Sequence, residues 1–158
     1  SADKRLPVTE ETRKELHELK EPGQTYDDLL KELAQQRRRQ DLKQRLQKLE
    51  ETDRDELTPL SDVEYDVLLG DDAREFFDVA DEKTERVCKE KLGYLAKIPY
   101  PGRGRGDKEK LPIDGRRDRY RMHIARTYTA IYTLLEDEKE VRVLEIVPID
   151  DAHKRYGL

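Results

Sequence analysis

Arg121 and His123 stand two places apart in Tyr120-Arg121-Met122-His123-Ile124, an alternation of apolar and polar residues that reads as a strand. Side chains two apart on a strand share a face. Histidine titrates near neutrality and can accept a proton as a general base. Arginine stays charged and grips phosphate oxygens with a planar fork. The surrounding segment is basic: between Pro101 and Tyr132 nine Lys or Arg stand against four acids, although the whole chain carries a net charge of −5. One face can be basic on an acidic molecule. Such a face is compatible with a nucleic-acid partner.

The elements that must hold this pair follow from patterning. Thr127-Tyr128-Thr129-Ala130-Ile131-Tyr132 and Val141-Arg142-Val143-Leu144-Glu145-Ile146-Val147 read as two further strands, and the chain closes with His153-Lys154-Arg155-Tyr156. Upstream, Asp72 to Phe77 opens one helix. Residues 83 to about 96 form another, with Val87, Leu92 and Leu95 as core candidates. Tyr65-Asp66-Val67-Leu68-Leu69 reads as a first strand. The loop Pro101-Gly102-Arg103-Gly104-Arg105-Gly106 lacks the Gly-Lys-Ser/Thr ending of a phosphate-cradling P-loop and reads as a basic loop beside a nucleic-acid face.

A composition shift near Val63 sets off an N-terminal unit. Lys4-Arg5-Leu6-Pro7-Val8 alternates as a short strand that Pro7 confines to an edge or a two-stranded ribbon. Thr9 caps a helix to about Lys20, Glu21-Pro22-Gly23-Gln24 breaks it, and Thr25 opens the next with Asp28 at capping-box distance. Tyr26, Leu29, Leu30 and Leu33 form that helix's apolar stripe. The helical pattern continues from Gln35 to Glu51 with Leu42, Leu46 and Leu49 on one edge and Arg37, Arg38, Arg39, Lys43 and Lys48 on the other. So narrow a stripe needs a groove to lie in.

With 44% charged and 34% hydrophobic residues, 158 residues build one domain or two small ones around a thin core of Leu, Val, Ile and Tyr. The interspersed charges read as a salt-bridged surface. The lone Cys88 excludes an internal disulfide and a cysteine metal site. No metal or other cofactor is expected, and His17 and His153 read as surface residues. No apolar run reaches the ~20 residues of a membrane span, so the expectation is a cytoplasmic chain with no membrane partner. With Met122 the only methionine, Ser1-Ala2-Asp3 reads as a processed or engineered start.

The three strands and the terminal tyrosine resemble the end of a RelE/ParE-superfamily toxin. The strand, helix, Gly-containing turn and capped helix of residues 4 to 34 resemble a ribbon-helix-helix antitoxin of RelB type. The resemblance implies an α+β chain in three parts. Residues 1–34 would be a ribbon-helix-helix unit for dimerisation and DNA binding. Residues 35–63 would be a toxin-wrapping helix and extended tail, using Leu42, Leu46, Leu49, Leu57 and Leu60. Residues 64–158 would be a RelE-like small antiparallel sheet with a helical hairpin on one face. It further implies metal-free RNA cleavage on ribosome-bound mRNA, with Arg121, His123, Arg126 and Tyr156 as the catalytic group. Two family arginine positions are Thr129 and Ile149 here, which implies weakened catalysis. Operator DNA would be read by Lys4 and Arg5 and held near Thr25 and Tyr26, by a homodimer paired through its N-terminal ribbon. The whole would be a toxin and its antitoxin in one chain, autorepressing. The alternatives are an active ribosome-dependent endonuclease and a ParE-like binder that inhibits gyrase.

Overall fold

The computed structural model describes residues 2–113, 115–116 and 118–158. Ser1, Asp114 and Arg117, the last two counted among the charges of the basic segment, lie outside the described residues. The N-terminal part is helical. Thr9 caps α1 (Glu10–Leu19) by accepting from the Thr12 amide, and a turn through Gly23, at φ 81°, leads to α2 (Tyr26–Glu51). Thr25 and Asp28 form the full capping box: Thr25 Oγ1 accepts from the Asp28 amide and the Asp28 carboxylate from the Thr25 amide. The boundary drawn at residue 34 falls inside this continuous 26-residue helix. Residues 4–8 form no strand in the single chain, because a five-residue segment has no ladder without a neighbour to pair with.

The remainder is a six-stranded open sheet in the order β1-β2-β6-β5-β4-β3. Its strands are β1 (Thr58–Asp62), β2 (Asp66–Leu69), β3 (Asp107–Lys110), β4 (Arg119–Ile124), β5 (Tyr128–Leu135) and β6 (Glu140–Pro148). All neighbours are antiparallel except β2 and β6, which run parallel. The expected small antiparallel sheet is thus mostly antiparallel, with β1 and β3 added to the four strands read from the sequence. The tail after α2 is not merely extended: it pairs with β2 as edge strand β1.

One face of the sheet packs on α3 (Asp71–Val79) and α4 (Glu82–Gly93), burying Val67, Met122, Ala130, Tyr132, Val141 and Val143 against Ala73, Cys88, Leu92 and Leu95. Burial raises the Cys88 thiol to about 11, which suits a packing role. The other face is covered by α2 and by α5 (Ile149–Tyr156), a C-terminal helix the sequence reading lacks. Leu42, Leu46 and Leu49 meet Leu57, Leu68, Ile131, Leu144 and Tyr156 there. A bulge in β6 opposite Ile131 and Tyr132 turns both Leu144 and Glu145 toward this face, so α2 finds an apolar and a charged partner in adjacent residues. Leu60 packs with the opposite cluster, beside Phe76 and Phe77. The two tail leucines therefore serve different sides of the sheet.

Candidate functional site

Strand β4 turns Arg119, Arg121 and His123 to the face that α2 covers, while Tyr120, Met122 and Ile124 enter the opposite core. Edge strand β3 lies in register beside it, Asp107 against His123 and Glu109 against Arg121. Each meets the carboxylate across the ladder: Arg121 Nη2 is 2.6 Å from Glu109 Oε2, and His123 Nδ1 is 3.3 Å from Asp107 Oδ2. Both candidate groups are therefore partnered within the chain. The available signal for β3 was the alternation Asp107-Lys108-Glu109-Lys110, which lacks the apolar residues that mark a strand. Thr129 is buried on β5 opposite His123, and Ile149 begins α5 with its amide donating to Thr127 O.

Tyr156 does not join Arg121 and His123. It is buried beneath α2, where its hydroxyl donates to Glu145 Oε1 at 2.9 Å and accepts from Arg45 Nη1 at 3.3 Å. Arg45 also reaches Glu145 at 3.1 Å and Asp72 at 2.7 Å. Burial opposes the charge on Arg45, but the bond to Glu145, the charges of Glu145 and Tyr156 and the bond to Asp72 together outweigh this and raise the guanidinium above its ordinary value. Burial, and then the Glu145 charge, push the Tyr156 hydroxyl up as well. Arg39 Nε closes the site from above, donating to Tyr156 O at 2.6 Å.

The end of α2 is fixed by a second group of polar contacts. Glu50 accepts from Arg119 at 2.8 and 2.9 Å and from Thr133 Oγ1 at 2.6 Å. Arg142, buried in β6, donates to the carbonyls of Leu49 and Thr52 at 2.8 and 2.7 Å, supplying partners to groups that a helix C-terminus leaves unpaired. Its other nitrogens bond Glu140, which Arg54 also pairs. Gly70 lets this packing close up, since a Cβ there would lie 2.9 Å from Leu49 Cδ1.

Arg126 sits in the β4–β5 turn, where Ala125 and Arg126 both take positive φ, 53° and 57°, a conformation costly for residues with a side chain. It lines an open cleft of about 520 Å³ at the rim of the sheet, together with Lys91, Tyr94, Arg105, His123 and Ile149. Of the four catalytic candidates, His123 and Arg126 line this cleft and Arg121 and Tyr156 do not. Arg105 comes from the loop read as basic beside a nucleic-acid face, whereas Lys91, on α4, is the cation in the cleft that sequence reasoning passed over.

In the N-terminal part Lys4 and Arg5 are exposed. The Thr25 amide is already bonded to Asp28, and Asp27 and Asp28 put negative charge in the first turn of α2, which disfavours a phosphate there. Tyr26 Oη lies 3.2 Å from His17 Nδ1. Among the described residues there is no cluster of His, Cys, Asp and Glu that could hold a metal ion, and no helix is long and apolar enough to cross a membrane.

No protein family and no curated protein matches the chain by sequence. Among solved structures, it is similar to a chain of the archaeal RelE–RelB complex from Pyrococcus horikoshii OT3, with 23% identity and a TM-score of 0.47 over 54% of this chain and 96% of that one. It is also similar to a chain of the RelBE2 toxin-antitoxin complex from Mycobacterium tuberculosis, with 18% identity and a TM-score of 0.44 over 54% of this chain and 99% of that one.

Proposed function

We propose that this chain joins an antitoxin and a RelE-like toxin in one polypeptide, the N-terminal part holding the sheet silent and binding operator DNA as a dimer. The observation that carries the reading is the seat of α2. This helix lies over the sheet face that bears Arg121 and His123, buries Leu42, Leu46 and Leu49 there, and bonds Tyr156 through Arg45 and Arg39. An N-terminal helix that encloses the tyrosine a nuclease would use is how a tethered inhibitor should look. The tether gives the helix an effective concentration on the order of millimolar, so it stays bound unless cut or unfolded. The toxin part has weakened catalysis, since Thr129 and Ile149 carry no charge and each missing phosphate contact costs about two to three orders of magnitude.

The reading is tested by inserting a protease site at Thr52-Asp53, between α2 and β1, and inducing cleavage in cells. Little arrest by the unmodified chain, and growth arrest on cleavage once Thr129→Arg and Ile149→Arg are introduced, suppressed by Arg121→Ala with His123→Ala, is the expected result. Arrest with intact mRNA but inhibited gyrase would indicate the ParE-like alternative. Absence of any arrest even with those two arginines, with α2 shown to have dissociated, would rule out a toxin.

A further inference from the structure

We propose that the rim cleft is a binding site for a phosphate group of single-stranded RNA, made by Lys91, Arg105 and Arg126, and that it stays open while α2 covers the sheet. The first support is the state of the cations. Arg45, Arg121 and Arg142 on the covered face are each in an ion pair. Lys91, Arg105 and Arg126 have no ion pair among the described residues, yet three separate elements bring them to one cavity. Its one acid, Asp107, lies 3.3 Å from His123 and, among the described residues, makes no ion pair with any of the three. Three cations against one carboxylate leave an excess of positive charge, which a bound anion relieves.

The second support is that the cleft is built rather than draped. Lys108, buried beneath the glycine loop, donates to Ile98 O at 2.7 Å and to Arg103 O at 2.6 Å, which fixes the loop's path. Gly104 and Gly106 have positive φ, and a Cβ on either would meet Ile98 Cβ at 2.8 Å or Met122 Sδ at 2.9 Å. The loop so held stacks Arg105 on Tyr94, 4.7 Å from the ring centroid, with Lys91 Nζ at 5.3 Å. Arg126 is presented from the strained turn opposite. The Tyr94 hydroxyl behind this ring is buried and has no hydrogen-bond partner among the described residues.

The third support is size and place. At about 520 Å³ the cleft has room for more than a free phosphate, and Ala125 and Ile149 give it an apolar side for the rest of a nucleotide. No residue of α2 lines it. That the phosphate belongs to RNA rests on the proposed toxin reading; the site itself does not.

The test uses the full chain and a labelled six-nucleotide RNA, followed by fluorescence anisotropy at low salt. Expected are saturable binding that weakens with salt and with added inorganic phosphate, at least a tenfold loss for Arg105→Glu with Arg126→Glu, and retention within a few fold for Arg105→Lys with Arg126→Lys. Lys4→Ala with Arg5→Ala should leave RNA binding unchanged. Absence of binding, or binding indifferent to the Glu pair in a chain whose melting is unchanged, overturns the site. A DNA hexamer bound equally well overturns the assignment to RNA. Failure of cleavage to arrest growth even with Thr129→Arg and Ile149→Arg would remove the toxin reading without altering these affinities, so the two proposals fail separately.

Discussion

Arg142 shows what one buried residue does for the joint between the two parts. Its guanidinium bonds the last carbonyls of α2 and Glu140 together, so Arg142→Met would orphan the carbonyl of Thr52, leave that of Leu49 with only a 3.4 Å bond from the Thr52 amide, and leave Glu140 with Arg54 alone. Breaking a buried pair from one side costs about 3 kcal/mol or more, and urea denaturation should show a loss of that order. Glu50 adds a pH dependence. Burial alone would raise its pKa, but the Arg119 and Thr133 bonds and the charges of Arg119 and Arg116 hold it below the ordinary glutamate range. A depressed carboxylate gives stability that is present above its unfolded pKa and lost as pH falls through the folded one. Melting temperature should therefore drop below about pH 4.3, the ordinary glutamate value, and Glu50→Gln should flatten that acid limb while lowering stability at neutral pH. Equal slopes in both proteins would mean that Glu50 is not the coupled group. At this scale the sequence was only partly legible. Arg121 and His123 were found because strand alternation is local, whereas the carboxylates that pair them come from β3, whose charged residues carry no strand signal, and Tyr156 is enclosed by a helix more than 100 residues away in sequence.

The elements with strong periodicity were legible and the edges were not. The helical run to Glu51, the capping box at Thr25 and the three C-terminal strands follow from spacing that depends on near neighbours. The tail's pairing as β1 and the β6 bulge depend on partners across the sheet, and no local pattern encodes those; α5 did carry local signals, acids in its first turn, bases in its last and Gly157 at its end, but they lie in a segment too short to stand out. α2 illustrates the difference: its narrow stripe asked for a groove, and only the fold supplies Leu68, Ile131 and Leu144 as its floor. Leu46 is fully buried there, so Leu46→Ala should cost about 2–5 kcal/mol. Replacing Leu42, Leu46 and Leu49 together with Asn should lower the melting temperature of the whole chain and open Thr52-Asp53 to protease. If α2 were only a linker, neither readout would move.

At the scale of the molecule the apolar surface is unevenly distributed. The sheet and its covering helices bury most of their hydrophobic side chains, Val79 at the end of α3 being an exception, but α1 buries none, and Leu6, Val8 and Leu19 remain 73%, 52% and 59% exposed. Leu6, Val8, Leu16, Tyr26 and Leu30 line one groove. A surface of that kind is covered in solution when a partner is available. A second copy fits best, because residues 4–8 lack a ladder and two such segments can pair antiparallel, turning Leu6 and Val8 to the shared core and Lys4 and Arg5 outward. Light scattering should therefore give twice the 18.7 kDa of one chain. A gel shift on the DNA upstream of its own gene should show binding that falls steeply with salt, as phosphate contacts require. Arg5→Ala should weaken the shift and leave the dimer, whereas Leu6→Asp should abolish both while the melting of the sheet stays unchanged. The acidic start of α2 adds a further expectation: Asp27→Asn should tighten DNA binding, because it lowers the negative charge at the helix end nearest the ribbon. A monomer with no shift at low salt would leave the groove without its expected occupant and remove operator binding from the account of this chain.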